Sequence, residues 1–307
     1  MPELPEVEVV RAGLEPAVTD ATIHAVSVYD ERSLRRHAGP SEDFIDRLEG
    51  RGIRAAVRRG KFLWLPLSSE PLVEPAETPT PEALVVHLGM SGQVLLRDRA
   101  QPDDRLTRIR LDIEHPSHGE LRLNFVDQRI FGSMSIVPLL PTPDGAPGGY
   151  GDPGASVPAQ VAHIARDPLD PAFDDAAFLA ALKRRNSGIK RVLLDQSLIS
   201  GIGNIYADEA LWAARIHFDQ PASSLSRPRA KTLLAEVRLV LTKALAEGGT
   251  SFDAQYVNVN GASGYFAHSL NAYGQHGRPC PRCGRSIRRE QFMNRGSHFC
   301  AFCQRLR

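Results

Sequence analysis

Two Cys-x-x-Cys pairs, Cys280/Cys283 and Cys300/Cys303, sixteen residues apart, restrict this chain more than any other feature of its sequence. Four thiolates at this spacing can surround one tetrahedral zinc ion and hold together a short β-hairpin too small for a core of its own. Four protein ligands leave no open position for a catalytic water, so the expected metal is one structural Zn2+. These are the only cysteines in the chain, and no other thiol is available for a disulfide.

The same segment is strongly basic. Between Arg278 and Arg307 eight arginines face a single acid, Glu290, although the chain as a whole carries a net charge of only +1. Affinity for a polyanion must therefore come from where the charge sits, and this end of the chain is expected to bind phosphates. Arg285, Arg288, Arg289 and Arg295 fall between the cysteine pairs, on a hairpin rigid enough to enter DNA.

The remaining chain is long enough, at 307 residues and 42% hydrophobic, for two globular cores. No run reaches the roughly eighteen apolar residues of a membrane span, and the N-terminus lacks the layout of a signal peptide, which points to a cytoplasmic protein. Leu4, Val7, Val10 and Leu14 recur at helical spacing, with Pro5 suited to a first turn. From about 20 to 137 short alternating runs (Ile23 to Tyr29, Phe62 to Leu67, Leu84 to Leu88, Gln93 to Leu96, Ile109 to Ile113, Leu121 to Phe125) predict the strands of a sandwich or barrel. Beyond 171 the period becomes helical, over Phe173 to Arg185, Ile189 to Asp195, Ile205 to Ala214 and Arg229 to Ala246.

Two biased stretches interrupt this order. Residues 66 to 82 hold five prolines and four glutamates with no basic residue, as expected of an inserted loop. Residues 138 to 171, rich in Pro and Gly, are expected to link two domains. The predicted division is a β-rich domain over 1–137, the linker, a helical domain over 172–270 and the zinc segment over 271–307.

A second basic run, Lys183 to Arg191, precedes Gly201-Ile-Gly-Asn204 at the start of a helix. Glycines there let free N–H groups approach a phosphate, although such a turn is more often ordinary and a charge run is more often a solvated face.

Taken together, Met-Pro2-Glu3-Leu4-Pro5-Glu6-Val7, His87-Leu-Gly-Met90-Ser-Gly92, Asp127-Gln-Arg129-Ile-Phe131-Gly132, the block from Gly201 to Glu209 and the terminal cysteines resemble the formamidopyrimidine-DNA glycosylases, bacterial base-excision-repair enzymes. The motifs occur in the family's order and span nearly the whole chain. The resemblance implies an α+β fold: an N-terminal helix plus β-sandwich, a helix-two-turns-helix domain and a zinc finger, with DNA in the cleft between domains. It also implies a monomer working on nucleoid DNA that contains oxidised purines or abasic sites.

By that resemblance Pro2, freed by removal of Met1, is the nucleophile that attacks C1′ of the damaged nucleotide. Glu3 is the proton shuttle, although an acid in a first helical turn has a bland reading as a complement to the dipole. Lys61 assists elimination and contacts the DNA backbone, and Arg295 serves the second elimination and phosphate binding. Met90, Arg129 and Phe131 fill the void left by a flipped base, where Met90 and Phe131 taken singly would read as core. Arg185 and Asn204 bind phosphates near the lesion.

The chain departs from the family pattern at Gln128 and Ile130, where Pro and a second basic residue are common. It departs again at Leu106, where a His is common and Arg105 or Arg108 are the substitutes. Leu4 and the segment from Thr250 to Tyr273, with Gly264-Tyr-Phe266, favour purine lesions over the oxidised pyrimidines of the sister endonuclease VIII. A non-catalytic damage-binding protein is the reading from another class.

Overall fold

A computed structural model describes residues 2–68, 80–250 and 266–307. Met1, most of the acidic stretch, and residues 251–265 of the segment expected to favour purine lesions, Gly264 and Tyr265 among them, lie outside these residues. The described chain divides into two compact units. One holds Pro2 and residues 6–163, the other Glu3–Pro5, Ile164–Thr250 and residues 266–307.

Helix α1 spans Leu4–Val18, with Pro5 in a first turn that needs no amide donor. Its Val7, Val10, Leu14 and Val18 enter the core of the first unit. The strands of that unit are β1 (Thr22–Val28), β2 (Val57–Arg59), β3 (Phe62–Pro66), β4 (Glu82–His87), β5 (Gly92–Asp98), β6 (Thr107–His115), β7 (Gly119–Asp127), β8 (Ser133–Pro141) and β9 (Ser156–Pro158), with the short helix α2 (Ser41–Asp46) after β1.

They form two antiparallel sheets, in the orders β1-β6-β7-β5 and β2-β3-β4-β8-β9. Strict alternation along β6 buries Thr107, Ile109, Leu111 and Ile113 and turns the intervening residues outward. Ile109, Leu111 and Ile113 share one core with Leu63 and Leu65 of β3, Leu84 and Val86 of β4 and Ile136 of β8. Of the two all-β alternatives, the structure is therefore the sandwich.

The stretch expected to be a linker, 138–171, is largely folded. β8 runs on to Pro141 and pairs with β9, from Leu139↔Pro158 to Pro141↔Ser156. A Cβ on Gly149 would lie 2.5 Å from the Arg58 carbonyl oxygen and 2.6 Å from Trp64. Glycine is present here because another backbone passes too close for a side chain, not because the segment must flex. The division between units falls after His163.

In the second unit α3 (Asp175–Lys183) is capped by the Asp174 carboxylate, which accepts from the Ala177 amide at 2.9 Å. α4 (Ile189–Leu193) and α5 (Asn204–Ala213) are joined by the turns of 194–203. α6 (Arg227–Ala246) buries Ala230, Leu233, Leu234, Val237, Leu241 and Ala244, one face of the helix. The chain then forms the hairpin of β10 (Arg288–Phe292) and β11 (Arg295–Phe299), whose Phe292 and Phe299 meet Phe218 edge to face.

Candidate functional site

The first turn of α5 has amides that no side chain of its own neighbourhood satisfies, since Gly203 stands at the N-cap. Glu3 supplies the acceptor. Its carboxylate takes the Gly203 amide at 2.6 Å, the Ile205 amide at 3.0 Å and the Tyr206 amide at 3.4 Å. Glu3 is buried, and a Cβ on Gly203 would lie 2.3 Å from its carboxyl carbon. Gly201 is shaped by the next residue: its φ is +88°, a Cβ there would meet Leu4 at 2.7 Å, and its carbonyl accepts from the Leu4 amide at 3.0 Å. The Gly-x-Gly turn, whose sequence allowed either a phosphate cradle or an ordinary turn, thus receives Glu3 and Leu4. The anion at this helix N-terminus belongs to the chain itself.

The polar residues of α5 each take a different partner. Asp208, fully buried, pairs with the Lys190 ammonium at 2.6 Å and accepts from the Ser297 hydroxyl at 3.1 Å and the His298 amide at 2.8 Å. Lys190 also reaches the Ser297 hydroxyl at 2.9 Å and lies 4.8 Å over the Phe292 ring. Burial pushes its ammonium pKa down, opposed by the Asp208 and Glu3 carboxylates, while Arg295 adds to the depression. Glu3, Asp208 and Arg295 therefore all lie within electrostatic reach of the Lys190 ammonium. The Asn204 amide donates to the Gly296 carbonyl at 3.2 Å. Glu209 accepts from the amides of Asn271, Ala272 and Tyr273 at 2.8 to 3.0 Å. Through Asn204, Asp208 and Glu209, one helix fixes both β11 and the segment leading to the cysteines.

The Sγ atoms of Cys280, Cys283, Cys300 and Cys303 all lie within 4.8 Å of one another. Tetrahedral zinc with Zn–S near 2.3 Å needs S···S separations of about 3.8 Å, so the four thiols fit one structural zinc ion. The Trp212 indole N–H points at Cys280 Sγ at 3.5 Å, and Arg282 stacks 4.1 Å over the same ring. The cysteine knuckle is thereby tied to the end of α5. At the other end of the hairpin Arg295 is exposed, after the turn of Met293 and Asn294.

In the first unit, two loops stand side by side. Met90 and Phe131 are 45% and 43% exposed, high for large apolar side chains, and the Arg129 guanidinium lies 4.7 Å over the Phe131 ring. One buried carboxylate organises both loops. Asp127 accepts from the Ser91 hydroxyl at 2.6 Å, the Arg129 amide at 3.1 Å and the Gly132 amide at 2.7 Å. A Cβ on Gly89 would lie 2.3 Å from the Phe131 carbonyl carbon, so the loops touch backbone to backbone.

Lys61 follows Gly60 in the turn between β2 and β3. It belongs to a cationic group with Arg35, Arg36 and His87, and burial followed by these three charges lowers the His87 pKa to about 4. His87 is neutral at physiological pH, and its Nδ1 accepts from the Gly89 amide at 3.1 Å.

The structure thus brings Met90, Arg129 and Phe131 together in the first unit, and Glu3, Asn204 and the hairpin of Arg295 together in the second. Pro2, in the first unit, is buried and joined to Glu3 by the chain. Arg185 pairs with Asp195 at 2.9 Å. Of the three departures from the family pattern, Leu106 (φ +70°) and Ile130 (φ +55°) occupy the left-handed region. Of the two proposed substitutes for the missing His, Arg108 is committed to the Asp127 carbonyl and to Asp30, whereas Arg105 is exposed. Sequence reasoning missed Asp127 and Lys190 as organisers: it placed Asp127 only inside a motif and Lys190 only inside a charge run.

An antiparallel sandwich behind an N-terminal helix, two helices joined by paired turns and a four-thiolate hairpin define the class of zinc-finger helix-two-turns-helix DNA glycosylases. The family model described as the formamidopyrimidine-DNA glycosylase N-terminal domain matches residues 1–134, that of the H2TH domain residues 164–255, and that of the zinc finger found in FPG and IleRS residues 277–306. The formamidopyrimidine-DNA glycosylase of Leifsonia xyli subsp. xyli is 67% identical over 306 residues, covering 100% of both chains. That of Kineococcus radiotolerans is 52% identical, covering 99% of this chain and 97% of its own. Among solved structures, Lactococcus lactis Fpg with abasic-site DNA superposes with a TM-score of 0.79 at 27% identity, covering 99% of each chain. MutM with DNA containing carbocyclic 8-oxo-G gives 0.79 at 28%, covering 99% and 100%. The chain belongs to the formamidopyrimidine-DNA glycosylase family.

Proposed function

We propose that the protein excises 8-oxoguanine and formamidopyrimidines from duplex DNA and then cleaves the exposed strand, with Pro2 as nucleophile. The observation that carries this reading is the seat of Glu3. A buried carboxylate directly after Pro2 is fixed by three amides of α5, as a group handling protons beside a reacting amine must be. The N-terminal, H2TH and zinc-finger stretches serve as catalytic, DNA-gripping and hairpin domains.

With Met1 removed, the Pro2 nitrogen attacks C1′, the C1′–N bond to the base breaks, and the base leaves with a proton that Glu3 relays. The C1′–O4′ bond then opens, with O4′ taking a relayed proton, and the resulting ring-opened iminium acidifies the C2′ proton. Its removal expels the 3′ phosphate, and a second elimination expels the 5′ phosphate. Lys61 assists the first elimination, and Arg295 holds the phosphate lost in the second through its guanidinium fork. Met90, Arg129 and Phe131 fill the vacated stack, while Arg185 and Asn204 bind flanking phosphates. We infer an enzyme that works in the cytoplasm on nucleoid DNA, and as a monomer. Among the described residues no helix is long and apolar enough to cross a membrane.

Borohydride trapping on lesion duplexes tests the chemistry. Wild-type protein is expected to become covalently joined to DNA through Pro2, and Pro2→Gly to lose excision by about a hundredfold or more while still retaining DNA. An adduct mapped to another side chain, or none with wild-type protein, overturns the mechanism and favours a mere binder. A second lesion class is raised by a complex of Lactococcus lactis Fpg with DNA containing an oxidised pyrimidine (TM-score 0.79, 28% identity, 99% and 100% covered). Exclusive cleavage at thymine glycol would move this chain to the pyrimidine side.

A further inference from the structure

The loop of Arg129 and Phe131 contains a conformation its own sequence disfavours. Ile130 is β-branched, yet its φ is +55°, in a region where Cβ crowds the backbone and which Gly or Asn enters far more readily. Such a residue persists only where its surroundings over-determine it. Asp127 fixes the amides on either side, at Arg129 and Gly132, but leaves the carbonyls of 130–132 to be accounted for.

A single guanidinium takes all three. Arg35 lies 95 residues earlier, after a 3-10 turn over Glu31–Leu34 that Asp30 caps. One terminal nitrogen donates to the Gly132 carbonyl at 2.6 Å and the Ile130 carbonyl at 3.2 Å, and the other donates to the Phe131 carbonyl at 2.5 Å. We propose that Arg35 is the positioning residue of this loop: by gathering three consecutive carbonyls it holds Ile130 left-handed and so aims Arg129 and Phe131.

Only a planar fork with several donors can do this, and a lysine ammonium of equal charge cannot span the three acceptors. With both terminal nitrogens committed to carbonyls, the role is geometric. Arg35 acts through the loop that carries Phe131 and Arg129. The inference deepens the reading of these side chains as fillers of a vacated base stack and rests on it. It also identifies what the unusual Ile130 requires of the rest of the chain.

The test uses Arg35→Ala, Arg35→Lys and Ile130→Gly in the full-length zinc-loaded protein. Excision from lesion duplex should slow about tenfold in both Arg35 variants, the size expected for losing hydrogen bonds to a charged donor. Strand cleavage at a preformed abasic site in single-stranded DNA, where no hole needs filling, should change far less. Adding Ile130→Gly to Arg35→Ala should recover much of the lost rate, because glycine adopts this φ without strain. Amide hydrogen exchange over 127–132 should quicken in both Arg35 variants and slow again in the double variant.

Wild-type behaviour of Arg35→Lys, unchanged amide exchange, or no recovery from Ile130→Gly overturns the proposal. The exchange readout needs no activity. A wild-type chain that excises nothing sinks the enzymatic reading alone, and the clamp is then judged by exchange.

Discussion

At the scale of the residue, His87 shows how charge crowding acts on one ring. Burial and the charges of Arg36, Arg35 and Lys61 hold its pKa near 4 against an ordinary 6.5. The unfolded chain therefore takes up this proton first as the pH falls through 6.5. The contribution to stability is complete above 6.5, is lost progressively down to about 4, and is constant below, where both states are protonated. Urea midpoints measured from pH 7.5 to 4 should fall more for the wild type than for His87→Gln. The difference should reach about 2 kcal/mol once partial solvent screening is allowed for. Parallel profiles would show that the cationic group does not act on this ring.

At the scale of the element, α5 concentrates most of the constraint. Gly203→Ala places a Cβ 2.3 Å from the Glu3 carboxyl carbon, so the carboxylate has to leave its three amides. Urea unfolding should show a loss of about 1–3 kcal/mol, and base excision should slow on the order of a hundredfold. A folded Gly203→Ala protein with full excision would refute the seat assigned to Glu3. Little of this was legible beforehand, because the cap and its helix are 200 residues apart in sequence and capping patterns are read over four. Lys190 misled for a related reason. A charge run reads as solvated, and only a tertiary partner, Asp208, makes burial tolerable. The apolar strands β1 and β3 to β7 and the helices α1 and α3 to α6 were legible because their hydrophobic period reports the face they bury. β8 was not, since Ser133, Ser135, Pro138 and Pro141 blur its alternation, and β9 lay in a stretch whose glycines signalled a linker.

At the scale of the whole molecule, the hairpin of Arg295 depends on metal at one end and on α5 along its length. Stripping zinc with a chelator should abolish retention of lesion DNA while the sandwich keeps its β-sheet circular dichroism, with metal content followed in parallel. Metal-free protein that binds as before would show that α5 alone suffices. Among the described residues, the four clustered thiols were legible from spacing alone, because a metal site imposes its pattern locally. The gearing of the two exposed loops was not. Ser91, Arg129 and Gly132 converge on one carboxylate, and Gly89 lies flush against Phe131. Displacing the Met90 loop is therefore resisted by the Phe131 loop, and under the proposed function the two side chains would enter a duplex as a single two-pronged wedge.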